Sequence, residues 1–270
     1  MRVGIVRGTV CRPLLSQRRS CTRDNRTLLP SLNNQQTRFA TDGTLFKVSL
    51  ELLYRHRLSS HQDVRPHLSL LCASCLLFWP LFDTNGWSWR LNTLVPVTLL
   101  FRLIYKGAIR KDAQDVEVQC FSRSGALPSE LLLGPLQWMV CLIYLGLYQF
   151  MTWQACVTAA AIFGGDGCWA PWLGQAYGRH VYQMPLSRPK TMEGTTVGVF
   201  LGTVVGSYGL LLWLALPDWP PLRVMLVYGA LAAVAEGTAP GHWDNLFVGL
   251  VLQATLDRVP LWLPAAVADL

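Results

Sequence analysis

From about residue 47 onward the chain alternates long apolar runs with short polar breaks. The runs cover residues 68–82, 89–105, 132–150, 152–164, 195–216, 222–235 and 246–263. A helix needs about 20 apolar residues to cross the hydrocarbon core of a bilayer. The pattern therefore predicts an all-α protein, a polytopic transmembrane bundle of six or seven helices. Several runs are short or interrupted by Pro80, Pro96, Pro135 or Pro260, which buried membrane helices tolerate because neighbours re-satisfy the backbone. Trp87, Trp89, Trp213 and Trp219 stand near run ends, where interfacial aromatics gather. No repeat period is visible.

Charge sharpens this picture. Only 14% of the 270 residues are charged, against about 25% in a soluble domain. Residues 131–178 hold a single charged side chain, Asp166, and residues 194–217 hold none. Three polar stretches separate the runs: 106–130, 179–193 and 236–244. The first carries Lys106, Arg110, Lys111 and Arg123, and the second carries Arg179, Arg188 and Lys190. Basic loops stay on the cytoplasmic side, or its stromal or matrix equivalent. Both loops on one face implies that runs 132–150 and 152–164 form a hairpin between them.

Residues 1–46 contain eight Arg and two Asp but no Lys or Glu. That composition resembles an organellar transit peptide, with a disordered basic tail or a misassigned start as the alternative. The chain thus divides into 1–46 and a membrane domain, 47–270. Most of the formal charge of +7 lies in the first segment, and the remainder shows no basic stripe, which argues against a nucleic-acid partner. Of the eight cysteines, Cys72 and Cys75 form a lone C-x-x-C inside an apolar run. Without a second pair to complete a zinc site, they read as small core residues.

The chemistry concentrates at a few positions. Asp166 sits in Gly164-Gly165-Asp166-Gly167, at the end of a long uncharged run. An ionisable group inside a membrane segment is costly and marks function by default; the alternative is that Asp166 caps a following helix. Downstream, Arg188-Pro189-Lys190-Thr191-Met192-Glu193-Gly194 immediately precedes a clean apolar run. A lysine charge with donors at a helix start suits a phosphate, and Glu193 is placed to ligate Mg²⁺ or orient Lys190. The plainer alternative is a juxtamembrane loop with an ordinary cap.

Together these segments resemble the CTP-dependent polyprenol kinase family, which includes phytol, farnesol and dolichol kinases. The family's nucleotide motif is Asp-x-x-Ala-x-x-x-Gly followed by Lys-Lys-Thr-x-Glu-Gly. Here the halves are Asp166, Ala170 and Gly174, then Lys190, Thr191, Glu193 and Gly194, with Pro189 in place of the first lysine and Arg188 as a substitute charge. Ser124-Gly125 with Glu130, Gly134 and Pro135 is similar to a loop of phytol-kinase-like members. The stretch Glu236, Pro240, Asp244, Asn245 is similar to their C-terminal segment. The resemblance implies transfer of the terminal phosphate of CTP to an isoprenoid alcohol, phytol first among them, with Mg²⁺ as cofactor. It implies catalytic roles for Asp166, Lys190 and Glu193, nucleotide binding by 166–174 and 188–194, and metal ligation by Asp166, Glu236 and Asp244. The implied partners are the bilayer, the prenol and CTP; the implied location is a plastid membrane, with the endoplasmic reticulum as alternative. Two other readings compete: a lipid cytidylyltransferase, which Pro240-Gly241-His242 superficially resembles, and a transporter using isolated carboxylates for ion coupling.

Overall fold

The computed structural model describes residues 61–122 and 127–256. Among them the chain forms eight helical bodies and one tiny hairpin. Helix α1 covers 61–81 and tightens to 3₁₀ geometry over Ser74–Leu81, where Pro80 falls. Helix α2 covers 88–110, and α3 is the short Val116–Phe121. Helix α4 is Pro128–Tyr148, α5 covers 153–177, and α6 is Gly194–Trp213. Helices α7, Leu222–Thr238, and α8, Asp244–Thr255, complete the bundle. Strands β1, Val181–Tyr182, and β2, Lys190–Thr191, pair antiparallel with Val181 opposite Thr191.

Each apolar run has become a helix, so the all-α expectation holds. Two helices, Pro128–Tyr148 and Gly194–Trp213, are long and apolar enough to cross a membrane. The other runs give helices that are shorter or less apolar, and the run 246–263 passes beyond the described residues after 256. Segment 1–46, its boundary at 47, and Ser124 and Gly125 also lie outside the described residues.

Two expectations need correction. The run 152–164 does not end at the glycines: α5 continues through Asp166 to Tyr177. Asp166 is therefore inside a helix, and it is not the cap of a following one. The polar stretch 106–130 also contains α3, whose N-cap Asp115 accepts a hydrogen bond from Glu117 N–H.

The glycines serve packing, and α6 shows why. Gly194, Gly198, Gly202 and Gly206 recur every fourth residue, which places them on one face of a helix. A Cβ at Gly198 would lie 2.7 Å from Ala170 Cα, and one at Gly202 would lie 2.8 Å from Gly165 Cα. At Gly206 the neighbour is Ala160 Cβ at 3.0 Å. Helices α5 and α6 thus cross antiparallel with backbone against backbone, the contact that small residues permit between membrane helices. Both helices widen to i→i+5 hydrogen bonding at this crossing, over Ala160–Trp169 and Gly194–Val199. Such π segments concentrate at functional sites.

Trp138 of α4, Phe163 of α5, Leu211 of α6, Tyr228 of α7 and Leu252 of α8 are fully buried and form the core. Cys72 is buried with them as a free thiol, in keeping with a small core residue, and Cys75 is half-buried. Polar bonds fix which ends of the helices meet. Near the start of the α-helical part of α4, Gly134–Tyr148, Gln137 Nε2 donates to the carbonyl of His242 (2.9 Å). Near its end, Gln149 Nε2 donates to Gln253 Oε1 of α8 (2.6 Å). The 239–243 turn therefore gathers at the same end of the molecule as the start of α4.

Candidate functional site

The π stretch of α5 sets the first element of the site. Its widened turn places Asp166 beside the start of α6, and the close Gly198–Ala170 contact holds it there. The second element is the β1–β2 hairpin, which lays Lys190 and Thr191 across the same end. Thr191 wedges against two small residues: Cβ atoms added at Gly174 or Gly178 would lie 2.7 or 2.6 Å from its side chain. Its Oγ1 accepts the N–H of Gly194 (3.2 Å), satisfying one of the open donors at the start of α6.

The third element is the end of α7 with the start of α8. Glu236 and Asp244 are each 4% exposed. The hairpin loop is tied to the turn between them in both directions: Arg188 Nε donates to the Gly241 carbonyl (2.7 Å), and Gly241 N–H donates to Leu186 O (2.7 Å). Gly241 takes a positive φ of 50°, which glycine adopts without penalty.

These three elements enclose a cavity of about 230 Å³. Asp166, Glu236 and Asp244 line it, and each offers an oxygen within 4.8 Å of the others. Arg188 and Lys190 face them. Lys190 Nζ donates to Glu236 Oε1 (2.5 Å) and to the Glu236 backbone carbonyl, which also accepts the Ala239 N–H (3.4 Å) at the end of α7. Arg188 Nη2 lies 3.3 Å from Asp244 Oδ2. Burial alone would lower the Lys190 pKa. The charges of Glu236 and Asp166, with the hydrogen bond to Glu236, outweigh it and hold the pKa above the ordinary lysine value.

The donor set suits a hard divalent cation, which binds carboxylate oxygens and shares them with phosphates. Glu236 Oε2 is buried with no hydrogen-bond partner among the described residues. A buried carboxylate oxygen left so is costly unless something binds it. Asn245, the residue after Asp244, is fully buried, and neither of its amide atoms has a hydrogen-bond partner among the described residues.

Most of the anticipated residues meet here. Asp166, Ala170, Arg188, Lys190, Thr191, Gly194, Glu236 and Asp244 all line the cavity, and Gly174 buttresses Thr191 from behind. Glu193 does not join them. Its carboxylate turns to His180, 2.7 Å from the ring Nδ1, and faces the His180 backbone N–H at 3.3 Å. The bond from Met192 N–H to the His180 carbonyl prolongs the hairpin pairing and carries Glu193 to that side. Glu130, Gly134 and Pro135 are absent from the cavity lining: Glu130 accepts a hydrogen bond from Ser122 Oγ (2.5 Å), and Gly134 and Pro135 are buried where the α-helical part of α4 begins.

Thr195 is a lining residue the sequence reading passed over. Its Oγ1 accepts a hydrogen bond from Tyr182 of β1 (3.0 Å). The spacing of four from Thr191, at a helix start, was the available signal. No family model, no curated protein and no solved structure matches this chain.

Proposed function

We propose that the chain is a lipid-alcohol kinase that transfers the terminal phosphate of CTP to a membrane-embedded isoprenoid alcohol, phytol first among the candidates, releasing CDP. One observation carries this reading: Asp166, Lys190 and Glu236, separated widely in sequence, converge on a single cavity. The motif halves of the polyprenol kinases require that convergence, and a transporter or scaffold does not. Choice of CTP as donor rests on that resemblance.

The residues divide the work by charge. Lys190 and Arg188 supply cations for phosphate oxygens, and the Thr191 and Thr195 hydroxyls add neutral donors. Asp166, Glu236 and Asp244 would hold Mg²⁺, which neutralises triphosphate charge when bound. Phosphoryl transfer depends chiefly on such positioning and electrostatic stabilisation. The small polar cavity suits a polyphosphate; at 230 Å³ it is below the roughly 300–1,000 Å³ that encloses a drug-sized ligand. The long tail of the alcohol therefore lies outside it, among lipid or between helices.

The protein is in this reading a polytopic bundle in a plastid membrane. Large apolar side chains exposed along α2 and α6, including Phe101, Tyr105, Ile109, Val197, Leu201 and Val205, support a lipid-facing surface. The test is direct: protein purified in detergent, supplied with Mg²⁺, CTP and a panel of prenols, should form prenyl monophosphate and CDP. Pyrophosphate in place of CDP would indicate a cytidylyltransferase, and no product from any alcohol would remove the kinase reading.

A further inference from the structure

Among the described lining residues, Arg188 and Lys190 face the carboxylates of Asp166, Glu236 and Asp244, and the more deeply engaged cation is Lys190. Its ammonium holds Glu236 twice, through Oε1 at 2.5 Å and through the backbone carbonyl. Asp166 and Asp244 contribute further attraction. A divalent ion entering the same trio must share Glu236 with this ammonium, and like charges that close repel strongly in a part-buried site. A polyphosphate changes the balance, because it offers the ammonium a second anion. Glu236 Oε2 is meanwhile buried without a hydrogen-bond partner among the described residues, so Glu236 retains a ligand atom for the ion once Lys190 turns away.

We propose that Lys190 is a resident counter-cation that couples metal binding to polyphosphate binding. It closes the carboxylate trio to a divalent ion arriving alone, and it opens the trio when phosphate oxygens take over the ammonium. Coupling of this kind is reciprocal, so each ligand strengthens the other by the same factor. The inference deepens the phosphoryl-transfer reading and rests on it only for the identity of the polyphosphate.

The test titrates Mn²⁺ alone into the full chain in detergent micelles, following free Mn²⁺ by electron paramagnetic resonance. Lys190→Met should bind Mn²⁺ about 5- to 150-fold more tightly than wild type, the usual range for coupled sites, and Lys190→Arg should stay near wild type. Equal or weaker Mn²⁺ binding by folded Lys190→Met would overturn the proposal. Should that variant fail to fold, the wild type answers through acylation of its lysines, read site by site by mass spectrometry. Saturating Mn²⁺ should raise the reactivity of Lys190 and leave Lys106 unchanged, whereas unaltered Lys190 reactivity with Mn²⁺ bound would defeat it. Neither measurement involves turnover. Tighter Mn²⁺ binding by Lys190→Met, with no prenol phosphorylation by the wild type, would keep the coupling and remove the kinase reading; wild-type turnover without tighter binding by the variant would do the reverse.

Discussion

Two charge clusters with buried members stand out among the described residues, and they are balanced differently. The first joins the end of α2 to α3. Arg102, Lys106 and Arg110, each four residues apart on one helix face, meet Asp112, Asp115 and Glu117. Both oxygens of Glu117 are engaged, by the Arg102 guanidinium and by Lys106 Nζ at 2.8 Å. Asp115 takes Lys106 at 2.9 Å on one oxygen and faces Arg110 at 3.6 Å with the other. Three cations answer three carboxylates within the protein itself. The second cluster, in the cavity, leaves a buried oxygen of Glu236 without a hydrogen-bond partner among the described residues. A closed network ties a loop to a helix, whereas a network left open calls for a ligand to complete it.

Variants can break this contrast from either side. The largest effect is expected from Glu117→Ala, which strands Arg102 and leaves the buried Lys106 with Asp115 alone. Removing one partner of a buried pair costs about 3–5 kcal/mol, to be seen as a lower unfolding midpoint in detergent, with turnover of the remaining folded protein unchanged. Asp166→Asn should do the opposite. Its melting profile should stay close to wild type while CDP formation falls by roughly 10²–10³-fold, the scale for losing one preorganised electrostatic group. A stability loss with normal turnover would exchange the roles assigned to the two clusters.

A milder change is expected from Gly198→Val, since its Cβ would meet Ala170 Cα at 2.7 Å. Overpacking of that kind costs about 1–3 kcal/mol, and turnover should fall as well, because α5 carries Asp166 away from Lys190. Normal kinetics in this variant would show that the crossing does not position the site. Smallest of all is Glu193→Gln. Hydrogen bonds from its own backbone and from the His180 ring hold the Glu193 carboxyl at about 2. A depressed carboxyl contributes above its ordinary value and loses that contribution only as pH falls towards 2. The pH–rate profile between pH 5 and 8 should therefore be unaltered, and turnover within about twofold of wild type, as for an exposed pair. A large loss in this variant would return Glu193 to the catalytic group.

The sequence exposed the helices and the open cluster better than the closed one. Asp166, Glu236 and Asp244 each interrupt or end an apolar run, and a lone acid in such a context is conspicuous. Arg102, Lys106, Asp115 and Glu117 are ordinary in type and fall in and beside a hydrophilic stretch, so nothing in their spacing marks them as buried. Glycine misled in one place. Gly164 and Gly165 read as the end of a run before Asp166, but they keep the helix intact and thin it for α6, while Gly167 makes room for Ser69 of α1. The repeat Gly194, Gly198, Gly202, Gly206 carried that information in plain view. Glu193 was misplaced for a different reason: its orientation depends on hairpin bonds between residues 180 and 192, a contact that linear spacing does not convey.

The crossing of α5 with α6 also has a bearing on how such a chain can change over time. Because two backbones pressed together set the separation of Asp166 and Lys190, the length of the connection between them is free. Segment 178–189 can lengthen or shorten at its tip, provided Arg188 still reaches Gly241, without retuning the distance across the chemistry. Tolerance to insertions there, beside intolerance of a single methyl group at Gly198, is the evolutionary signature this architecture leaves.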